Sequence, residues 1–79
     1  MLDSKQLALM YLMEECNKAS SLCTKHIHNT KKKNLGPDLE YQMGALFNAM
    51  REVVVEFKLE EKNVESALYE EMDSRDKQK

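Results

Sequence analysis

Two runs of apolar residues at helical spacing, split by the step Gly36-Pro37, constrain this chain more than anything else in it. From Ser4 to about His28, Leu9, Leu12, Met13, Cys16, Ala19, Cys23 and Ile27 recur every three or four residues, with Glu14, Lys18, Ser21 and Lys25 opposite them. From Pro37 or Asp38 to Phe57 the stronger run follows: Leu39, Met43, Leu46, Phe47, Met50, Val53, Val54 and Phe57. Asp38 and Glu40 suit the positive end of that helix dipole, and proline favours a first helical turn while restricting the residue before it. Val53-Val54-Val55 prefers a strand locally, but a short run inside a long helical stripe yields to packing. A third and more polar segment carries Val64, Leu68 and Met72, one apolar residue per turn. The expectation is an all-α fold: an antiparallel helical hairpin over roughly 4–28 and 38–57 plus a short third helix over 61–74 that packs on one side only. A single domain spans 1–79, and its polar end, 73–79, is expected to fray.

Size then limits how much of this hairpin can be hidden. A chain of 79 residues has a thin core, neither a disulfide framework nor a zinc-type cysteine pattern adds to it, and self-association is expected. Leu7 to Met13 is apolar on every side of its helix, more than one packing face can use, so other helices, including another subunit's, should enclose it. A homo-oligomer, dimer or tetramer, is expected, with Leu7, Leu9 and Met10 at the interface. Gly44, Ala45 and Ala49 are small enough to let another helix approach the second one closely.

Fourteen acids against twelve bases give a net charge of -2, no field for a phosphate backbone, so nucleic acid is not an expected partner. No apolar run approaches a bilayer span and the first residues lack the order of a signal peptide, so no membrane partner and a cytoplasmic location are expected. Cys16 and Cys23 would lie about 10 Å apart along a helix, too far for a disulfide between them, and free thiols fit a reducing compartment. Both sit in the apolar stripe and read as buried small side chains.

Few residues point to chemistry by themselves. His26 and His28 are two apart and turn to different sides of a helix, which does not suit a shared metal. Lys31-Lys32-Lys33 reads as a solvated loop, with phosphate contact as the alternative. There is no glycine-rich phosphate loop and no serine elbow.

Two short segments say more. Leu12-Met13-Glu14-Glu15-Cys16-Asn17-Lys18-Ala19-Ser20, followed by Thr24-Lys25, resembles the first metal-site helix of the MazG-like all-α nucleoside triphosphate pyrophosphohydrolases. Tyr41-Gln42-Met43-Gly44-Ala45-Leu46-Phe47-Asn48-Ala49-Met50 resembles the second, 23 residues lie between Lys18 and Gln42, and Ala67 to Arg75 is similar to the polar last helix of small members. The resemblance implies an oligomeric MazG-like fold and two motifs, E-x-x-E and E-x-x-D, whose four carboxylates hold Mg²⁺ and activate the water that splits α- from β-phosphate. It also implies nucleotide contacts at Lys25 and Asn48.

This chain departs from that pattern at three of the four metal positions. Glu15 keeps the first acid, while Lys18, Gln42 and Ala45 stand at the other three. A lysine brings a cation where the ion should sit, an amide carbonyl is a weak ligand and a methyl is none. No metal and no cofactor are therefore expected, and the leading expectation is a non-catalytic MazG-like protein that acts by binding a protein partner or a nucleoside triphosphate, as a regulator or inhibitor. One alternative is a Mg²⁺-dependent pyrophosphohydrolase with an atypical site drawn from Glu14, Glu15, Glu52 and Glu56, since Glu52 and Glu56 share a side of the second helix with Gln42, Ala45 and Ala49. The other is a plain helical interaction module. Glu70 and Asp73 also read as E-x-x-D, but outside the family spacing, and a charged surface explains them.

Overall fold

The structure is a computed structural model and describes residues 1–28 and 35–78. These form three helices, α1 (Ser4–His28), α2 (Gly36–Glu56) and α3 (Glu61–Lys77), with no strand among the described residues. Val53-Val54-Val55 is helical. The run Lys31-Lys32-Lys33 lies outside the described residues.

Each helix end has a local cause. At the start of α1, Gln6 N–H donates to Asp3 Oδ1 at 2.8 Å and Asp3 N–H donates to Gln6 Oε1 at 3.0 Å, a reciprocal cap that satisfies two otherwise open donors. Lys25, His26 and His28 occupy its last turn, the negative end of the dipole. Pro37 lies in the first turn of α2, which begins at Gly36 because the carbonyl of the buried Leu35 already accepts from Leu39 N–H.

At the far end of α2, Leu59 N–H donates to Val54 O and Lys58 N–H to Val55 O, which ends the helix at Glu56 and turns the chain towards α3. That closure needs a left-handed residue, and Lys58 supplies it with φ 53°. Glycine adopts this conformation without a Cβ clash, so Lys58→Gly is expected to stabilise the chain by about 0.5–1 kcal/mol, read as a higher urea midpoint with an unchanged slope.

The third helix does not stop where expected. α3 continues to Lys77, three residues past the expected 74, with side-chain pairs Arg75–Glu71 and Lys77–Asp73 each at 3.2 Å one turn apart. Nor does its apolar stripe find cover: no residue of α3 is buried, and Val64, Leu68 and Met72 are all exposed.

The hairpin is antiparallel because the later of two α1 residues, Glu15, bonds the earlier of two α2 residues, Gln42, while the earlier Tyr11 bonds the later Asn48. In that register Ala8 and Ala49 lie at one level, 3% and 0% exposed, and their small side chains let the two helices come close. The covered seam of α1 runs through Ala8, Tyr11, Leu12, Glu15, Ala19 and Leu22, and that of α2 through Leu39, Gln42, Leu46, Ala49 and Val53. On α1 this is about one residue's rotation from the apolar stripe. Cys16 and Cys23 are consequently exposed rather than buried, as are Leu9, Met13 and Ile27. On α2 the same offset leaves Phe47, Met50 and Phe57 outside the seam. Two helices touching along small residues bury only a narrow strip, and the broader apolar arc falls beside it. Among the described residues no helix is long and apolar enough to cross a membrane.

Candidate functional site

Glu15 is the centre of the polar structure inside the hairpin. It projects from the middle of α1 into the seam, 5% exposed, against Gln42 at 6% on α2. Gln42 Nε2 donates to Glu15 Oε2 at 2.8 Å and approaches the Glu15 backbone carbonyl oxygen at 3.3 Å. From the next turn of α1, Lys18 Nζ reaches Glu15 Oε1 at 3.2 Å while its own side chain stays largely in water. Both carboxylate oxygens thus have a donor, and no buried side-chain polar atom among the described residues lacks a partner.

The charges settle accordingly. The hydrogen bond from Gln42, aided by that from Lys18, holds the Glu15 carboxyl below its usual 4.5 against the opposing effect of burial. The same pairing raises the Lys18 ammonium above its usual 10.5, chiefly through its hydrogen bond to Glu15. Glu15 is a fixed anion, neutralised from inside the chain.

Three of the four positions that the resemblance would make metal ligands therefore come together here, but as one acid, one amide and one cation. Ala45, the fourth, is half-buried one turn beyond Gln42 and offers no oxygen ligand from its side chain. Glu14 is exposed on α1. Glu52 and Glu56 do not join the site: they lie about 15 and 21 Å along α2 from Gln42. They line an open groove of 630 Å³ near the start of α1, with Ser4, Tyr11, Asn48 and Arg51 among its other walls. Among the described residues no three histidine, cysteine or acidic side chains gather as a metal ion requires, so the displaced acid cluster considered from sequence is not assembled.

The two residues singled out for nucleotide are also far apart. Asn48 Nδ2 donates to Tyr11 Oη at 3.3 Å beside the groove, whereas Lys25 is exposed about 21 Å further along α1 from Tyr11. They do not share a site. Tyr11 itself was hidden in the sequence by the apolar run around it, and only the hairpin register reveals its polar partner.

The expected interface residues divide as well. Ala49 is spent in the contact between α1 and α2. Gly44 is exposed, and a Cβ there meets nothing within 4 Å, so among the described residues no other helix approaches it. Leu7 faces the groove, and Leu9 and Met10 are exposed. Compared with known proteins, the chain matches no family model, no curated protein and no solved structure.

Proposed function

We propose that this chain is a non-catalytic, MazG-like helical hairpin that acts by binding a protein partner, as a regulator or inhibitor, in a reducing compartment such as the cytoplasm. The observation that carries the reading is the Glu15 carboxylate, taken up by Gln42 at 2.8 Å and Lys18 at 3.2 Å. Mg²⁺ requires several hard anionic oxygens, and holding a triphosphate against activated water requires more than one carboxylate beside a cation. To seat an ion here, an internal amide would have to be displaced and a lysine ammonium driven off. The uncovered apolar residues of all three helices give the binding role its surface.

Calorimetry with Mg²⁺ and a panel of nucleoside triphosphates, read beside monophosphate release, tests this proposal. The expected result is no Mg²⁺ site and no turnover. Turnover that disappears on Glu15→Gln would overturn it in favour of the enzyme. The likeness itself is tested by Lys18→Glu, Gln42→Glu and Ala45→Asp together. Four facing acids repel one another without metal, so the triple variant is expected to be strongly destabilised and to recover its melting temperature on adding Mg²⁺. Destabilisation that Mg²⁺ does not relieve would mark the likeness as accidental.

A further inference from the structure

We infer that α3 is a latch, which swings about the elbow between Phe57 and Glu60 and lays Val64, Leu68 and Met72 along Val54, Met50 and Phe47 of α2. Closing would hide part of the surface that the proposed binding role uses. That masking rests on the binding role, whereas the closure itself does not.

The structure shows the latch open. No residue of α3 is buried, and Val64, Leu68 and Met72 stand exposed, as do Phe47 and Met50 on α2. Packed helices lie about 10 Å apart, so the 39 Å middle extent of the molecule comes from α3 reaching away from the hairpin. The radius of gyration is correspondingly 15.3 Å, where about 12 Å is usual for a compact chain of this length. The elbow has the length that closing needs. Residues 57–60 alone join α2 to α3, a connection of the kind that joins antiparallel neighbouring helices, and a few such residues can absorb a hinge motion.

The start of α3 fixes the face and the register. Glu61, Val64 and Glu65 line a groove of 240 Å³ with Arg51 and Val54 of α2. Continuing antiparallel from Val54 and Val64 at about 1.5 Å per residue, Leu68 comes level with Met50 and Met72 with Phe47. Each trio falls within about a quarter turn of its own helix, so the two apolar strips can meet along their whole length.

Charge agrees with that register. Residues 60–73 carry six acids and one base, so α3 approaches as an anion. Its first acids, Glu61 and Glu65, already share the groove with Arg51, and Lys58 stands at the elbow. The sign reverses at the other end: α3 finishes on Arg75 and Lys77, which come within one turn of the level of Glu40 on α2. Opposite charges therefore face each other at both ends of the closed latch, which fixes its register.

Methyl and aromatic NMR of the unaltered full chain is the test. Nuclear Overhauser contacts from the Leu68 and Met72 methyl groups to the Phe47 ring are expected, and they should stay within one chain when labelled and unlabelled chains are mixed. Contacts between chains would hand α3 to a second copy, and no contact would leave it free; either result overturns the proposal. A lock provides the second measurement, in the Cys16→Ser, Cys23→Ser background. With Phe47→Cys and Met72→Cys, a disulfide requires the two Cα atoms to come within about 7 Å, and it should form at least about 10-fold faster than with Phe47→Cys and Glu70→Cys, where Glu70 faces away from the stripe. Equal rates would mean that α3 moves without a preferred face and would overturn the closure. In the locked chain the fluorescence of anilinonaphthalene sulfonate, an apolar dye, should fall and return on reduction, and unchanged fluorescence would overturn the masking. Neither measurement involves Mg²⁺ or nucleotide, so the latch and the reading of Glu15 fail separately.

Discussion

Ala49→Leu is expected to destabilise the chain by about 1–3 kcal/mol, a large share of the 3–5 kcal/mol that a core of this size supplies. Ala49 is fully buried at the level of Ala8, where the helices have no space for three more carbons, so the larger side chain must push α2 away from α1. The Glu15–Gln42 contact lies on the same seam and loosens with it. Gly44→Ala makes the contrast. A methyl group there meets nothing within 4 Å, and removing glycine from a helix interior is expected to add about 0.5–1 kcal/mol. Urea titrations of the two variants check both signs. Equal tolerance at the two positions would mean that the seam does not run through Ala49.

That pair also shows how far the sequence could be followed. Gly44, Ala45 and Ala49 look alike as small residues on one helix, and only the hairpin register separates the one in the contact from the one in open solvent. The three helices were legible because apolar periodicity and Gly36-Pro37 act locally. The buried face was less so. Hydrophobic spacing finds the centre of an apolar arc, whereas the closest contact between two helices is set by small residues, so the seam passes through Ala8 and Glu15 while Cys16 and Cys23 stay outside. The resemblance grouped Glu15, Lys18 and Gln42 as metal positions, but the bond from Gln42 to Glu15 follows only from the hairpin register. The Tyr11–Asn48 bond had no local signal, because it depends on which residues of two distant segments come level.

Gln42→Leu is expected to remove most of the acid dependence that Glu15 gives to folding. In the folded chain Glu15 ionises below its usual 4.5, so its contribution is complete above that value and is lost as the pH falls through the lower folded pKa. The hydrogen bond from Gln42 is the first cause of that depression. Without it, burial raises the pKa and only Lys18 opposes. The variant should therefore be clearly less stable than the parent at neutral pH, and the gap should narrow as the pH drops below 4.5, where Glu15 becomes protonated in both. Lys18 acts at the alkaline end: its pKa is raised above 10.5 chiefly by its hydrogen bond to Glu15, so its contribution is full below that value and is lost as the pH rises through the folded pKa. Chemical denaturation across the acid range measures this, and a gap that stays constant with pH would mean that Gln42 acts by packing alone.

The central claim is that the Glu15 carboxylate is closed from within by Gln42 and Lys18 and does not bind a metal ion. Carbon-13 NMR of the Glu15 carboxyl, titrated with acid in the absence and presence of millimolar Mg²⁺, tests it most directly. The account predicts one titration midpoint, below 4.5 and the same with and without the ion. A midpoint at or above 4.5, or one that Mg²⁺ drives lower while shifting the resonance at neutral pH, would contradict it.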